Sequence, residues 1–119
     1  MSLSNKEVFI DTNFILSVFE LKKPFLDELE EAGFELYTST TVVKELNKHK
    51  LGKLALKLLE SKNIIILDYK GAKEADDSIL ELCEQKSFIL ASSDKELKKR
   101  AKNKHLKTID IRNKSYLNI

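Results

Sequence analysis

The sequence predicts an α/β fold, a single three-layer domain in which a twisted parallel sheet of four or five strands is flanked by helices. Short apolar runs alternate with segments of helical periodicity along the chain. The 119 residues are enough for one hydrophobic core, so we assign residues 1–119 to one domain. A composition of 42% hydrophobic and 34% charged residues is ordinary for a globular protein and excludes a disordered chain.

Five apolar runs have the length and composition of buried strands. They are Val8–Ile10, Glu35–Tyr37, Ile64–Leu67, Phe88–Ala91 and Thr108–Ile111. Strands that alternate with helices form parallel sheets, because each connecting helix carries the chain back over one face of the sheet. Ligands of such sheets bind beyond the carboxyl ends of the strands. We therefore expect the functional residues to follow these strands.

The segments between the strands carry signals for helix starts and stops. Pro24 suits the first turn of a helix, and Gly33 lies where that helix should end. The run Ser39–Thr41 can cap the next helix, which should break near Gly52 before a second helix follows. The last two predicted helices are the segments EADDSILELCEQK and DKELKKRAKN, the latter strongly basic.

The net charge of +2 is small, but the basic residues are concentrated in two regions. The range 44–62 contains six Lys against two Glu, and the range 94–119 contains nine Lys or Arg against three acids. Such regions suit a polyanionic partner whose phosphates contact Lys and Arg. Solvated helix surfaces account equally well for such lysines, so this pattern alone does not decide.

The sequence also excludes several classes of protein. No apolar run approaches the roughly 20 residues that span a membrane, and the N-terminus lacks a signal-peptide pattern. We therefore expect a cytoplasmic protein without a membrane partner. The single cysteine, Cys83, excludes an internal disulfide and a zinc cluster, and its place on an apolar helix face indicates a packing role.

Acidic residues recur where the predicted fold has the carboxyl rim of its sheet. Asp11 follows the first strand, Glu45 lies in the helix after the second, Asp76 and Asp77 open a later helix, and Asp94 follows the strand FILASS. Each acid alone is more often a helix cap or a surface charge. Together they would repel each other unless cations lay between them, and Mg²⁺ or Mn²⁺ prefers such oxygen ligands. Two ions held in this way can assist phosphodiester cleavage by activating a water molecule.

Four segments carry a resemblance to a known family. VFIDTNFIL, TSTTVVKEL, EADDSILELC and ILASSDKELKKRAK resemble, in order, the four motifs of the PIN domain family of metal-dependent ribonucleases. The resemblance extends over roughly residues 8–111, and its last two motifs are the most specific. They are similar to archaeal PIN proteins related to ribosomal RNA-processing members and to VapC-type toxins. The resemblance implies a PIN fold and endoribonuclease activity.

The resemblance also implies roles for particular residues and a cofactor. The acids expected both to bind metal and to act in catalysis are Asp11, Glu45, Asp76 and Asp94. Asp77 is expected as a further metal ligand. Asn13 would help to orient the first motif, and Ser92 stands where the family often has Thr and would still offer a hydroxyl. One or two Mg²⁺ or Mn²⁺ ions are the implied cofactors.

Helical geometry distinguishes the two neighbouring acids. At about 100° per residue, Asp76 shares a side of its helix with Ile79 and Cys83, which should pack on the sheet. Asp77 points further round the helix, towards Glu81 and the solvent. We therefore expect Asp76 to face Asp11 across the ends of the strands.

The resulting hypothesis is a divalent-metal-dependent endoribonuclease that hydrolyses RNA phosphodiester bonds, either in RNA processing or as a toxin. The alternative is a catalytically silent PIN-fold protein that binds RNA or assists ribosome assembly. A haloacid-dehalogenase-type phosphatase is excluded because it needs an Asp where this chain has Asn13. The residues expected to contact the RNA backbone are Lys44, Lys48, Lys95, Lys98, Lys99 and Arg100.

The expected partners are an RNA substrate together with an antitoxin or a ribosomal RNA assembly. A homodimer is also expected, because PIN-like proteins commonly dimerise. Apolar helix residues that one sheet would leave uncovered, among them Leu54, Leu58 and Leu59, suit such an interface.

Overall fold

The computed structural model describes residues 6–69, 71 and 74–119. Within these residues the chain forms six strands and six helices. The strands are β1 (Glu7–Ile10), β2 (Glu35–Ser39), β3 (Ile65–Leu67), β4 (Ile89–Ala91), β5 (Thr108–Arg112) and β6 (Tyr116–Asn118). The helices are α1 (Thr12–Glu20), α2 (Phe25–Glu31), α3 (Thr40–Asn47), α4 (Gly52–Ser61), α5 (Ala75–Lys86) and α6 (Lys95–Asn103). None of these helices is long and apolar enough to cross a membrane.

The strands form one sheet in the order β3-β2-β1-β4-β5-β6. The pairs from β3 to β5 are all parallel, which confirms the predicted α/β class with a parallel sheet flanked by helices. The predicted number of four or five strands was too low, because β6 adds a sixth, antiparallel strand beside β5. Asn113 and Lys114, with φ angles of 52° and 53°, form the turn between them. β6 is short and largely exposed, so no apolar run marks it in the sequence.

The side of the sheet to which the chain adds new strands changes between β1 and β4. Along the chain, β1 to β3 extend the sheet to one side, and β4 to β6 extend it to the other. Because parallel crossovers are right-handed, α1 to α4 cover one face of the sheet, and α5 and α6 cover the other. The carboxyl ends of β1 and β4 therefore lie at the topological switch point, where such sheets bind ligands.

The core is built around the central strand β1. Val8, Phe9 and Ile10 are completely buried because both faces of this strand are covered by helices. The rings of Phe14 and Phe25 pack against each other on the side of α1 and α2, with centroids 6.1 Å apart. The strand is therefore a rigid support for the residue that follows it, Asp11.

Two glycines mark the helix boundaries that the sequence indicates. Gly33 follows α2 with a φ of +94°, a left-handed conformation that a residue with a side chain rarely adopts. Gly52 opens α4, and a Cβ atom there would lie 2.0 Å from the backbone oxygen of Leu46. This close approach allows α4 to fold back against the end of α3. Pro24 directly precedes α2 and does not lie within its first turn.

One edge of the sheet exposes apolar side chains. Leu54 of α4 is 52% exposed, and Ile65 and Ile66 of the edge strand β3 are 47% and 46% exposed. The expectation that Leu59 belongs to an uncovered apolar face was wrong, since this side chain is buried in the core. Leu58 is partly buried against the core. Of the three leucines expected on an uncovered face, Leu54 is therefore the one that the structure exposes.

Candidate active site

Asp11 lies at the centre of the candidate site, directly after β1. It is the N-cap of α1, and its Oδ1 accepts a hydrogen bond of 2.7 Å from the backbone N–H of Thr12. Its Oδ2 accepts a bond of 2.8 Å from the hydroxyl of Ser92. The side chain is only 5% exposed. The chain passes from strand to helix without a loop, so the carboxylate is held rigidly at the switch point.

The surroundings of Asp11 disfavour its charged form. Burial raises the pKa of this carboxyl from 3.8 to about 6, although the hydrogen bonds from Ser92 and Thr12 act in the opposite direction. The negative charges of Asp76 and Glu45 raise the pKa further. The protein thus keeps a buried carboxylate facing other acids, at a cost in stability that a bound cation would offset.

Ser92 connects Asp11 to the acid that follows β4. Its buried hydroxyl donates to Asp11 and accepts a bond of 3.0 Å from the backbone N–H of Asp94. Asp94 is the N-cap of α6, and its Oδ1 accepts bonds from the backbone N–H groups of Glu96 at 2.9 Å and Leu97 at 3.2 Å. Asp94 therefore has a structural role as a helix cap while it lies at the rim of the site.

Glu45 reaches the same rim from α3. This helix begins after Ser39, whose hydroxyl accepts from the backbone N–H of Val42 at 3.4 Å. Glu45 lies in the second turn and is exposed, and its Oε1 accepts a hydrogen bond of 2.6 Å from the hydroxyl of Thr12. Thr12 was not identified from the sequence. Its position directly after Asp11 is the one signal that could have suggested it.

The two acids at the start of α5 have different surroundings. Burial and the charges of Asp94, Glu45 and Asp77 raise the pKa of Asp76, whereas the charge of Arg100 lowers it. Asp77 instead forms an ion pair with Arg100 of α6. Asp76 therefore faces the other acids, as the helical spacing predicts. Asp77, which was expected to face the solvent, is partly buried beside α6 instead.

The acids share a rim but do not form a compact cage. In the described part of the chain, no three His, Cys, Asp or Glu side chains are close enough together to hold a metal ion as they stand. The negative charges of Asp76 and Glu45 nevertheless raise the pKa of Asp11, and the charge of Asp94 raises the pKa of Asp76. Without a cation between them, the negatively charged acids repel each other, and this repulsion favours larger distances between their carboxylates. An all-oxygen donor set with one buried, destabilised carboxylate fits Mg²⁺ or Mn²⁺.

The remaining predicted residues are distributed unevenly around this rim. Asn13 exposes its side chain, and its backbone oxygen accepts a 2.8 Å bond from the hydroxyl of Ser17. The lysines that are exposed, as a contact with RNA requires, are Lys44, Lys48, Lys95 and Lys99. Lys98 is mostly buried and donates to Asp110 at 3.1 Å, and Arg100 pairs with Asp77. These last two cations neutralise carboxylates of their own chain, which the sequence did not indicate.

A doubly wound sheet with acids at its switch point defines a class of α/β proteins suited to hard cations and phosphate groups.

No family model matches the sequence. Ribonuclease VapC9 from Archaeoglobus fulgidus is 33% identical over 105 residues, which cover 80% of this chain and 75% of that protein. Ribonuclease VapC4 from Methanocaldococcus jannaschii is 33% identical in an alignment 123 positions long, which covers 92% of each chain.

A solved structure supports the same relationship. The PIN domain endonuclease Utp24 superimposes with a TM-score of 0.78 at 28% identity, and the match covers 91% of this chain and 86% of that one. VapBC2 from Rickettsia felis, solved with a DNA fragment, shares the fold at a TM-score of 0.53 and 18% identity, over 88% and 98% of the chains. The chain belongs to the PIN domain family, as its four motifs suggest.

Proposed function

We propose that this protein is a divalent-metal-dependent endoribonuclease, with Asp11, Glu45, Asp76 and Asp94 as its catalytic acids. The observation that carries this proposal is the buried carboxylate of Asp11, whose pKa is raised to about 6 at a rim shared with other acids. A group so costly to bury is typical of functional sites. The two relatives named ribonucleases favour RNA as the substrate.

The four acids would hold one or two Mg²⁺ or Mn²⁺ ions, with Asp77 as a more peripheral ligand. When bound, such ions neutralise the charge of the phosphate and lower the pKa of a bound water molecule. Asp11 is oriented for this task because Thr12 and Ser92 each donate to one of its oxygens. Asp76 would share the ions with Asp11, because it lies close enough for the charges of Asp94 and Glu45 to act on it.

Exposed lysines would orient the RNA beside these acids. Lys95 and Lys99 lie on α6, which begins at Asp94, and Lys44 directly precedes Glu45 on α3. Contacts from lysine to phosphate position a nucleic acid without selecting its sequence. These lysines would therefore give the enzyme no sequence preference, which would have to come from other contacts.

Incubation of labelled RNA, both single-stranded and structured, with the protein tests the proposal. We expect cleavage with Mg²⁺ or Mn²⁺, loss of cleavage in EDTA, and recovery when the metal is added back. The Asp11→Asn variant, purified in parallel, controls for a contaminating ribonuclease. Cleavage that persists in EDTA, or equal cleavage by the variant, would contradict the assignment. Mn²⁺ binding without turnover on any RNA would favour the silent RNA-binding alternative.

For the cellular role we propose that of a toxin held in check by an antitoxin, one of the two roles that the resemblance of the four motifs implies. Expression of the chain alone should then arrest growth, and co-expression of the protein from a neighbouring reading frame should relieve the arrest. Two observations together would favour RNA processing instead. Expression of the active enzyme would leave growth unaffected, and deletion of its gene would alter the maturation of ribosomal RNA.

We also propose that the chain self-associates. The exposed side chains of Ile65 and Ile66 at the β3 edge, and of Leu54 on α4, support an apolar contact. Sedimentation at micromolar concentration should show a dimer, and Leu54→Lys should shift it towards monomer. A monomer throughout this range would contradict the proposal.

A further inference from the structure

We infer that Thr12 is a positioning residue that holds the carboxylate of Glu45 at the metal-binding rim; this inference rests on the proposed function. Two donors of this one residue point to two different acids. Its backbone N–H donates to Oδ1 of Asp11 at 2.7 Å, and its hydroxyl donates to Oε1 of Glu45 at 2.6 Å. Thr12 therefore links the buried acid after β1 with the exposed acid on α3.

Glu45 depends on such a contact more than Asp11 and Asp94 do. Asp11 is buried, and Asp94 is held by the backbone N–H groups that it caps. Glu45 is exposed and belongs to the residue types with the largest side-chain conformational freedom. A hydrogen bond from Thr12 restricts this freedom and directs the carboxylate towards the start of α1, which Asp11 caps.

The position of Thr12 fixes the donor end of this contact. Thr12 is the first residue of α1 and lies two positions after Ile10, the last of the completely buried residues of β1, so its backbone is fixed. Its side chain is partly exposed, and its hydroxyl bonds to the exposed Glu45. Removal of the hydroxyl should therefore change the orientation of Glu45 without disturbing the core.

The chemical consequence concerns metal affinity. Groups that orient metal ligands without touching the metal typically change metal affinity by about 10–100-fold when removed. We expect Thr12→Val, which keeps the shape and the backbone N–H but loses the hydroxyl, to weaken Mn²⁺ binding by at least about tenfold. Thr12→Ser keeps the hydroxyl and should bind Mn²⁺ nearly as tightly as the wild-type protein does.

The experiment measures free Mn²⁺ by electron paramagnetic resonance during titration of the full chain, and thermal unfolding of each variant in EDTA. Thr40→Val is the matched control, because the hydroxyl of Thr40 lies 3.4 Å from Asp68 and does not contact the four acids. The expected result is weak binding by Thr12→Val, with wild-type affinity in Thr12→Ser and Thr40→Val and similar melting temperatures throughout. Thr12→Ala replaces Thr12→Val if the latter unfolds.

A double-mutant cycle shows whether Thr12 acts through Glu45. In the Glu45→Ala background, Thr12→Val should cause no further loss of Mn²⁺ affinity. The inference would be overturned if Thr12→Val bound Mn²⁺ as tightly as the wild-type protein does, or if Thr12→Ser lost as much Mn²⁺ affinity as Thr12→Val. It would also be overturned if Thr12→Val weakened Mn²⁺ binding as much in the Glu45→Ala background as in the wild-type protein. A wild-type protein that neither binds Mn²⁺ nor cleaves RNA would overturn the proposed function as well, and this outcome is distinct because it appears before any substitution.

Discussion

The candidate site has a buried centre, formed by Asp11 and Ser92, and two more exposed flanks, formed by Glu45 and Asp76. The centre and the flanks are held in position by different means. Asp11 and Ser92 follow two adjacent central strands and bond to each other in the interior. Glu45 and Asp76 lie on helices that reach the rim from opposite faces of the sheet, and they are accessible to solvent. The centre is therefore rigid and costly in stability, whereas each flank depends on a few surface contacts. Substitutions at the centre should affect activity and stability together, and substitutions on the flanks should affect activity alone.

The largest effect is expected for Asp11→Asn. Cleavage should be lost, because the central carboxylate carries the charge that a cation would neutralise. A rise of the pKa of Asp11 from 3.8 to about 6 corresponds to roughly 3 kcal/mol of unfavourable free energy for its charged form. In EDTA at pH 7, the variant should therefore be about 1–3 kcal/mol more stable to chemical denaturation. A loss of several kcal/mol would show instead that Asp11 is a structural residue.

The next prediction separates the two acids at the start of α5. Asp76→Asn should abolish cleavage, because Asp76 faces the other acids, whereas Asp77→Asn should slow it only several-fold by releasing Arg100. Rates measured for both variants over one Mn²⁺ titration test this difference. Equal and mild effects would mean that neither acid is a metal ligand, and an inactive Asp77 variant beside an active Asp76 variant would reverse the assignment.

The pH dependence of stability sharpens the same contrast. Without divalent cations, the folded protein holds the proton of Asp11 more tightly than the unfolded chain does, because its pKa is about 6 in the fold against 3.8. The contribution of this group to stability therefore falls as the pH rises from about 4 to about 6, and it is constant above that range. Denaturation curves in EDTA at several pH values should show the decline in the wild-type protein. The Asp11→Asn variant should lack this component.

The smallest effects are expected for two neighbouring lysines of α6. Exposed Lys99 should contribute one phosphate contact, so Lys99→Ala should weaken RNA binding several-fold and reduce its dependence on salt. Lys98 is mostly buried against Asp110, and Lys98→Ala should lower the free energy of unfolding by about 1–3 kcal/mol with little change in RNA affinity. Fluorescence anisotropy and chemical denaturation of both variants test this difference, and the reverse pattern would place Lys98 in the RNA contact.

The features predicted from sequence are those set by local periodicity and strand ends. Burial on both faces makes residues 8–10 of β1 an uninterrupted apolar run, and the placement of Asp11 at the rim follows from parallel strand order. The different directions of Asp76 and Asp77 follow from the helical repeat alone. The roles of these acids as metal ligands remain predictions.

The features that the sequence did not indicate depend on how separate elements pack. The bond from Thr12 to Glu45 joins residues 33 positions apart and requires the relative placement of α1 and α3. The ion pair between Asp77 and Arg100 likewise requires α5 and α6 to lie side by side. β6 escaped prediction because its pairing with β5, and not its hydrophobicity, defines it as a strand.

The most direct measurement of the central claim is anomalous scattering from crystals of the wild-type protein grown with Mn²⁺. We predict a Mn²⁺ peak within ligand distance of a carboxylate oxygen of Asp11 and of at least one oxygen of Glu45, Asp76 or Asp94. Such a peak should be absent from crystals of the Asp11→Asn variant grown in the same way. A peak confined to other carboxylates, or no peak at the rim at saturating Mn²⁺, would contradict a metal-dependent site built on these acids.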